Sequence, residues 1–217
     1  MRICIEGNIG AGKSTVFNSL QTAFPDYQCF PEPLSSWGDY IDLFYKDPKT
    51  WALPFSLKVL VEFSKIQDTP NKKQTVHIVE RSPMACRHIF TSLLKDDGII
   101  NCQQWDLFKN VHDILGWVPD GIVYLKTPPD TCLDRLHRRA RPCEAGVDIV
   151  YLKRLEHQYN KLFASGITNT IPCIEIDGSL SSEHVAAQAV RAVAELSKEL
   201  IVSKELLSKE LVSGKKI

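Results

Sequence analysis

Near its start the chain reads Gly7-Asn8-Ile9-Gly10-Ala11-Gly12-Lys13-Ser14-Thr15, a complete GxxxxGK[ST] motif. No other stretch restricts the fold as much, because the motif works only between a buried strand and a helix. Both flanks are present. The apolar run Ile3-Cys4-Ile5 precedes it, and Thr15-Val16-Phe17-Asn18-Ser19-Leu20 can open a helix. Gly7, Gly10 and Gly12 allow positive φ and bring the backbone close to a ligand. The loop N–H groups then converge on an anion at the helix N-terminus. Lys13 adds a point charge for the outer phosphates of a nucleoside triphosphate, and the Ser14 hydroxyl can ligate a magnesium ion held by them. A glycine-rich turn with a chance lysine would not need the full spacing and both flanks.

With 217 residues, 44% of them apolar, the chain is long enough for one α/β domain with a real core. Its net charge of zero gives no electrostatic reason to expect nucleic acid or membrane as a partner. No apolar run reaches the length of a membrane span. The first strand begins at residue 2, which leaves no room for a targeting peptide and predicts a cytosolic protein. Seven cysteines, an odd number with no CxxC pair, read as free thiols (Cys4, Cys29, Cys86, Cys102, Cys132, Cys143 and Cys173), mostly small core residues. No histidine spacing suggests zinc.

Further strands are expected at Tyr27–Pro31, Val76–Val79, Ile122–Leu125 and Ile171–Ile176. The first ends in Pro31-Glu32-Pro33, which holds a carboxylate in a stiff extended loop. Asp47-Pro48 starts a long helix, residues 49–68, whose Trp51, Phe55, Val59 and Phe63 form an apolar stripe. A polar connection, Thr69–Lys73, follows. The strand over Val76–Val79 ends in Glu80-Arg81-Ser82-Pro83, with Ser82 as N-cap and Pro83 as first helical residue. Helices are expected over 83–95 and 102–115 around a turn at Gly98, then from Pro129 into Arg138-Arg139-Ala140-Arg141, and over 149–164. The arginine cluster reads as a mobile basic loop able to clamp phosphate through bidentate contacts. After the turn Asp177-Gly178-Ser179, a last helix runs into a Ser-Lys-Glu-Leu near-repeat, with Leu196, Leu200, Leu207 and Leu211 on one face and fraying expected at Gly214-Lys215-Lys216. Five strands, each leading to a helix, give a parallel sheet covered on both sides. The chain divides into a domain over 1–195 and a helical tail over 196–217.

In open α/β sheets ligands sit beyond the carboxyl ends of the strands. That gathers Glu32, Glu80 and Arg81 beside the glycine loop. Glu80 can orient the magnesium, and Arg139 and Arg141 can close over the triphosphate. A carboxylate at Glu32 repels a second phosphate but can take a proton from a hydroxyl. Phosphoryl transfer to an alcohol follows, with Glu32 as general base and Arg81 orienting it and steadying developing charge. Nearby aromatics suit a flat acceptor with a hydroxyl arm, a nucleoside. A thymidylate-type nucleotide kinase would need a basic residue where Glu32 sits. A non-catalytic nucleotide-binding regulatory protein would not need the full set of reacting groups present here.

These motifs, together with Glu32-Pro33 followed by Trp37, Tyr45-Lys46-Asp47-Pro48 followed by Trp51-Ala52-Leu53-Pro54-Phe55, and Arg139-Ala140-Arg141 with Glu144, resemble the cellular and viral deoxyribonucleoside kinases over residues 2–180. That family includes deoxycytidine, deoxyguanosine and mitochondrial thymidine kinases and the insect broad-range enzyme. The resemblance implies a P-loop kinase-type three-layer fold, ATP and magnesium, a deoxynucleoside acceptor and a homodimer. By the same resemblance Glu32 is the catalytic base, Arg81 the arginine beside it, and Tyr45 and Glu144 the pair on the sugar 3′-hydroxyl. Trp37 and Phe55 line the base pocket, Phe90 stacks on the base, Arg139 and Arg141 form the lid, and Asp177, Gly178 and Ser179 lie under the adenine.

Where the family carries a glutamine that reads the base edge through two hydrogen bonds, this chain has Ser56, too short for the same pair. Gln67 cannot replace it, lying eleven residues on, about 16 Å along a helix. Where deoxycytidine kinase has a deeper arginine and aspartate, this chain has Phe63 and Cys86. These uncharged residues look closer to the thymidine-accepting members, so pyrimidine deoxynucleosides are the expected substrates, thymidine first.

Overall fold

The structure is a computed structural model that describes residues 1–66, 76–141, 144, 146–166 and 170–212, without the side chains of 204, 205 and 207–212. The order is β1 (Arg2–Gly7), α1 (Lys13–Ala23), β2 (Gln28–Phe30), α2 (Leu34–Trp37), α3 (Asp39–Lys46), α4 (Pro48–Ser64) and β3 (His77–Glu80). Then come α5 (Pro83–Ala85), a π-helical segment (Cys86–Thr91), α6 (Ser92–Asp96), α7 (Cys102–Leu115), β4 (Gly121–Lys126), α8 (Pro129–Arg139), α9 (Ile149–Ala164), β5 (Cys173–Asp177) and α10 (Ser182–Val212). The five strands form one sheet in the order β2-β3-β1-β4-β5, every pair parallel. Ile3 stands beside Ile78 on one side and Gly121 on the other, so β1 is central. Its apolar residues are buried on both faces, as a parallel sheet requires.

Helices cover both faces. On one, Ile3, Ile5 and Leu125 pack against Phe17 and Leu20 of α1 and Ala189, Val193 and Leu196 of α10. On the other, Cys4 and Val79 meet Leu60 and Phe63 of α4 and Phe108 of α7, while Ile122 and Tyr124 meet Leu155 and Tyr159 of α9. The chain crosses from one side of β1 to the other between β3 and β4, which places the crevice at the carboxyl ends of β1 and β3.

Several helix starts follow from their caps. Asp47 accepts the Thr50 N–H at 3.3 Å, Ser82 the Ala85 N–H at 3.2 Å, and Asp148 the Tyr151 N–H at 2.7 Å. Other boundaries depart from the sequence expectation. β2 is only three residues long, because Pro31 cannot donate to a ladder. β5 starts at Cys173, after Pro172, and α4 ends at Ser64. The helix expected over 83–95 is interrupted by the π-helical segment. Arg138 and Arg139 are not in a loop but in the last turn of α8, where cations suit the helix dipole, and the chain leaves the helix at Ala140 with φ +50°. α10 continues unbroken across residue 195, with Leu196 buried. Cys4, Cys86 and Cys132 are buried free thiols; Cys29 is half-buried, and Cys102 and Cys173 are exposed. Gln67, the Thr69–Lys73 connection, Cys143 and Gly214–Lys216 lie outside the described residues.

Candidate active site

The glycine loop takes the conformation its sequence requires. Gly7, Gly10 and Gly12 have φ of 151°, 77° and 101°. Asn8 ties the loop to α9 through Nδ2 and the Leu152 carbonyl at 2.9 Å, while its Oδ1 accepts the Ile9 N–H at 2.8 Å. Lys13 is buried, and its Nζ donates to the carbonyls of Gly7 (3.1 Å) and Asn8 (2.8 Å). Burial, then the Arg81 charge, lower its pKa to about 8 against the pull of Glu32, Glu80 and Glu6.

Glu80, the last residue of β3, joins two walls. One carboxylate oxygen accepts the Ser14 hydroxyl at 3.0 Å and the other the Glu32 N–H at 3.4 Å. Arg81 follows with φ +67°, a left-handed conformation that costs a non-glycine residue roughly 1–2 kcal/mol. That turn aims its guanidinium inward. Nε donates to Glu32 Oε1 at 2.6 Å, one terminal nitrogen donates to the Gly7 carbonyl and the Tyr159 hydroxyl, both at 3.1 Å, and the group lies 4.7 Å over the Phe90 ring. Burial alone would lower the Arg81 pKa. Glu32, the Tyr159 hydroxyl, Glu6 and Glu80 outweigh it and raise the value, so the charge is fixed.

Behind this pair sits Glu6, buried at the end of β1. It accepts the Ser82 hydroxyl at 2.6 Å and the Tyr159 hydroxyl at 3.1 Å. Burial raises its pKa, and these bonds and the Arg81 charge oppose the rise.

Two cavities meet at Glu32 and Arg81. The first, about 430 Å³, runs along Ile9–Val16 between Glu80 and the arginines Arg135, Arg138, Arg139 and Arg141. The second, about 200 Å³, is mostly apolar. Its lining includes every residue named above for the acceptor, Glu32, Trp37, Tyr45, Phe55, Ser56, Phe63, Arg81, Cys86, Phe90 and Glu144, together with Val59 of the α4 stripe. Trp37 meets Phe55 edge-on at 5.4 Å, and Phe44 stacks on Phe55 at 5.4 Å, so this wall is a rigid aromatic layer. Glu144 lines both cavities and is gripped by Arg139 through two bonds of 3.0 and 2.6 Å, with Arg141 at 3.7 Å.

A family model described as deoxynucleoside kinase matches residues 3–201. The chain belongs to the deoxynucleoside kinase family. It is 38% identical over 157 residues to a putative kinase of Invertebrate iridescent virus 3, covering 72% of this chain and 79% of that one. To a probable deoxycytidine kinase of Fowlpox virus it is 36% identical over 186 residues, 82% and 78% of the two chains. To deoxycytidine kinase of Homo sapiens it is 28% identical over 193 residues, 73% of each. The protein is therefore a nucleotide-binding kinase of nucleoside salvage.

In this deoxynucleoside kinase, Asp177, Gly178 and Ser179 lie outside both cavity linings, and the first cavity instead reaches Ser182 and Val185 of α10. Asp177 accepts the Ser179 N–H (2.9 Å) and hydroxyl (2.6 Å), and the Gly178 carbonyl accepts Arg135 at 2.9 Å. Gly7 and Asn8 support the loop from behind without lining the cleft. Sequence reasoning missed Arg135, which also donates to the Ala11 carbonyl at 3.0 Å. It sits four residues before Arg139, a helical spacing that would have marked it. Also missed were Thr91 and Tyr151 in the second cavity, and Glu6 and Tyr159 behind Arg81.

Proposed function

We propose that the chain transfers the γ-phosphoryl group of ATP to the 5′-hydroxyl of pyrimidine deoxyribonucleosides, thymidine first and deoxycytidine also accepted. One observation carries the reading. Glu32 and Arg81, bonded to each other at 2.6 Å, line both the cleft of the glycine loop and the apolar cavity. A hydroxyl entering from the apolar side meets a carboxylate where the outer phosphate ends. Glu32 takes the hydroxyl proton, the freed oxygen attacks the γ-phosphorus, and the bond to the departing ADP breaks. Arg81, with its charge fixed, orients Glu32 and faces the charge that develops on the transferring group. Lys13, Arg139 and Arg141 neutralise phosphate oxygens.

Ser14 Oγ and Glu80 Oε1, 3.0 Å apart beside the loop, are the hard oxygen donors that suit magnesium. When bound there, the ion offsets phosphate charge. Among the described residues no cluster of three His, Cys, Asp or Glu could hold a metal by itself; an ion at Ser14 and Glu80 would draw its other ligands from nucleotide oxygens and water. The aromatic wall supports a flat base, and uncharged Phe63 and Cys86 support a thymine ring. The relatives from Fowlpox virus and Homo sapiens bear deoxycytidine kinase names, which supports a pyrimidine acceptor.

A homodimer is part of the proposal, supported by Leu107 and Ile114 on α7 and nearby Val118, exposed by 49%, 77% and 65%; light scattering tests it. No helix among the described residues is long and apolar enough to cross a membrane; cytosolic residence is tested by fractionation.

The experiment is a panel of magnesium-ATP with thymidine, deoxycytidine, deoxyadenosine, deoxyguanosine and thymidine monophosphate, following ADP release. Turnover of the two pyrimidine nucleosides is expected, with none of the monophosphate. Higher kcat/KM for the purines would overturn the base assignment, and turnover of the monophosphate alone would remove Glu32 from its role. Glu32→Gln should keep ATP binding and lose about 10²–10⁴-fold in kcat.

A further inference from the structure

We propose that Glu6 is a positioning residue for phosphoryl transfer, holding Arg81 from both ends of its left-handed turn without touching either substrate. The inference rests on the kinase reading above and deepens it.

Glu6 is 1% exposed at the end of β1 and lines neither cavity. The steps proposed above leave it unused, yet a carboxylate is seldom buried without partners. Its two oxygens divide between two neighbours of Arg81. Oε1 accepts the hydroxyl of Ser82, the next residue in the chain, at 2.6 Å. Oε2 accepts the Tyr159 hydroxyl at 3.1 Å, and that same hydroxyl accepts a terminal N–H of the Arg81 guanidinium at 3.1 Å. One oxygen thus ties down the chain just after Arg81, and the other steadies the tip of its side chain. A non-glycine residue at φ +67° persists only where its surroundings over-determine it. Glu6 contributes to that at both points.

Each hydroxyl has a single proton to give. The Ser82 oxygen accepts the Ala85 N–H at 3.2 Å, and its proton goes to Glu6. Tyr159 has two acceptors within reach, Glu6 and the Gly7 carbonyl, both at 3.1 Å. The Gly7 carbonyl already receives Lys13 and Arg81, each at 3.1 Å, and these fill its two lone pairs. The Tyr159 proton therefore goes to the carboxylate, the stronger acceptor, and a lone pair of the phenol oxygen is left facing Arg81. A glutamine in place of Glu6 has one acceptor oxygen for two hydroxyls and turns an N–H toward the other. If Ser82 loses its acceptor, the turn is released at the backbone. If Tyr159 does, its proton turns to the Gly7 carbonyl and competes with Arg81 there.

The test is a double-mutant cycle on the full chain with magnesium-ATP and whichever of thymidine or deoxycytidine the wild type uses better. Glu6→Gln should lower kcat by about 10- to 100-fold. KM for ATP and for the nucleoside should each stay within about threefold, because Glu6 meets neither. Arg81→Lys keeps the charge but gives up the guanidinium bonds to Tyr159 and Gly7. In that background Glu6→Gln should cost less than about threefold more. A merely structural role would cost the same factor in both backgrounds, which would overturn the inference, as would a raised KM with kcat intact. Tyr159→Phe supplies a second cycle. Combined with Glu6→Gln it should lose little more than the larger single change, and additive losses would count against the proposal. Where Glu6→Gln does not fold, Tyr159→Phe and Arg81→Lys form the cycle and are read in the same way. If wild type phosphorylates no nucleoside, the kinase reading fails and takes this inference with it. Turnover by wild type with additive cycles removes this inference alone.

Discussion

Gly10 is where the glycine loop leans on α8. Its φ is +77°, and a Cβ placed there would lie 2.5 Å from the Cys132 carbonyl oxygen, 3.1 Å from its carbonyl carbon and 3.2 Å from its Cα. All three are backbone atoms inside a helix, so no rotamer change relieves the overlap. Two costs therefore add in Gly10→Ala. An L-residue in the left-handed region costs about 1–2 kcal/mol. Pushing packed backbone apart costs roughly 1–3 kcal/mol more. The sum, about 2–5 kcal/mol, corresponds to a Tm fall of roughly 4–20 °C for a chain of this size. Gly98 separates the two terms. Its φ is +65°, and a Cβ there meets nothing within 4 Å. Gly98→Ala should carry the conformational cost alone, about 2–8 °C. Scanning calorimetry on both variants measures the difference, and titration with ATP adds a functional readout. Only Gly10→Ala should weaken ATP, because the loop it forces off α8 is the loop proposed to hold phosphate through its N–H groups. Equal Tm losses in the two variants, with ATP affinity intact in Gly10→Ala, would refute the seating of the loop on α8.

Tyr159→Phe removes an acceptor for Arg81 and a donor to Glu6 and the Gly7 carbonyl, each at 3.1 Å, while the ring keeps its stacking on Tyr124. Urea unfolding should show a loss of about 1–3 kcal/mol, and kcat should fall more than KM rises; unchanged stability would remove Tyr159 from the network. Gly178→Ala would set a Cβ 1.9 Å from Thr127 Oγ1, which donates to the Ala11 carbonyl at 3.1 Å. Thr127 must turn away, but Arg135 still serves Ala11, so a loss of only about 1–2 kcal/mol with a raised KM for ATP is expected; an unchanged melting curve would count against it. His88 has its pKa lowered to about 4, by burial first and then by Arg87 and His112. The unfolded chain takes up that proton near pH 6.5, so stability rises with pH between about 4 and 6.5 and is lost as pH falls through that window. With solvent screening the contribution is on the order of 1–2 kcal/mol. His88→Gln should flatten the melting-temperature profile below pH 6.5, and a parallel profile would contradict the assignment.

The parts legible in the sequence are those that act through their own residue type. The glycine loop, Glu32 between prolines, the Glu80-Arg81-Ser82 strand end and the caps at Asp47 and Ser82 each carry a local reason for their place. What stayed hidden acts through geometry between elements. Thr91 lies five residues after Cys86, which in an α-helix is a rotation of roughly 140° and points to a different face. The π-helical segment brings the two together, with Sγ and Oγ1 at 3.9 Å, and so puts Thr91 into the cavity. No periodicity of 3.6 could have found it. Glu6 did leave a trace, a carboxylate ending a strand otherwise buried on both faces. Such a residue stays buried only with partners, and its partner Tyr159 is 153 positions away. Ser82 shows how the two kinds of information meet. Its sequence gives the N-cap, seen in the bond from Ala85; only the fold adds that the same hydroxyl donates to Glu6 at 2.6 Å. One side chain thus starts the helix that carries Cys86, Phe90 and Thr91 and ties that helix to the strand that feeds the glycine loop, so it joins the Arg81–Glu32 pair in holding the two cavities in register.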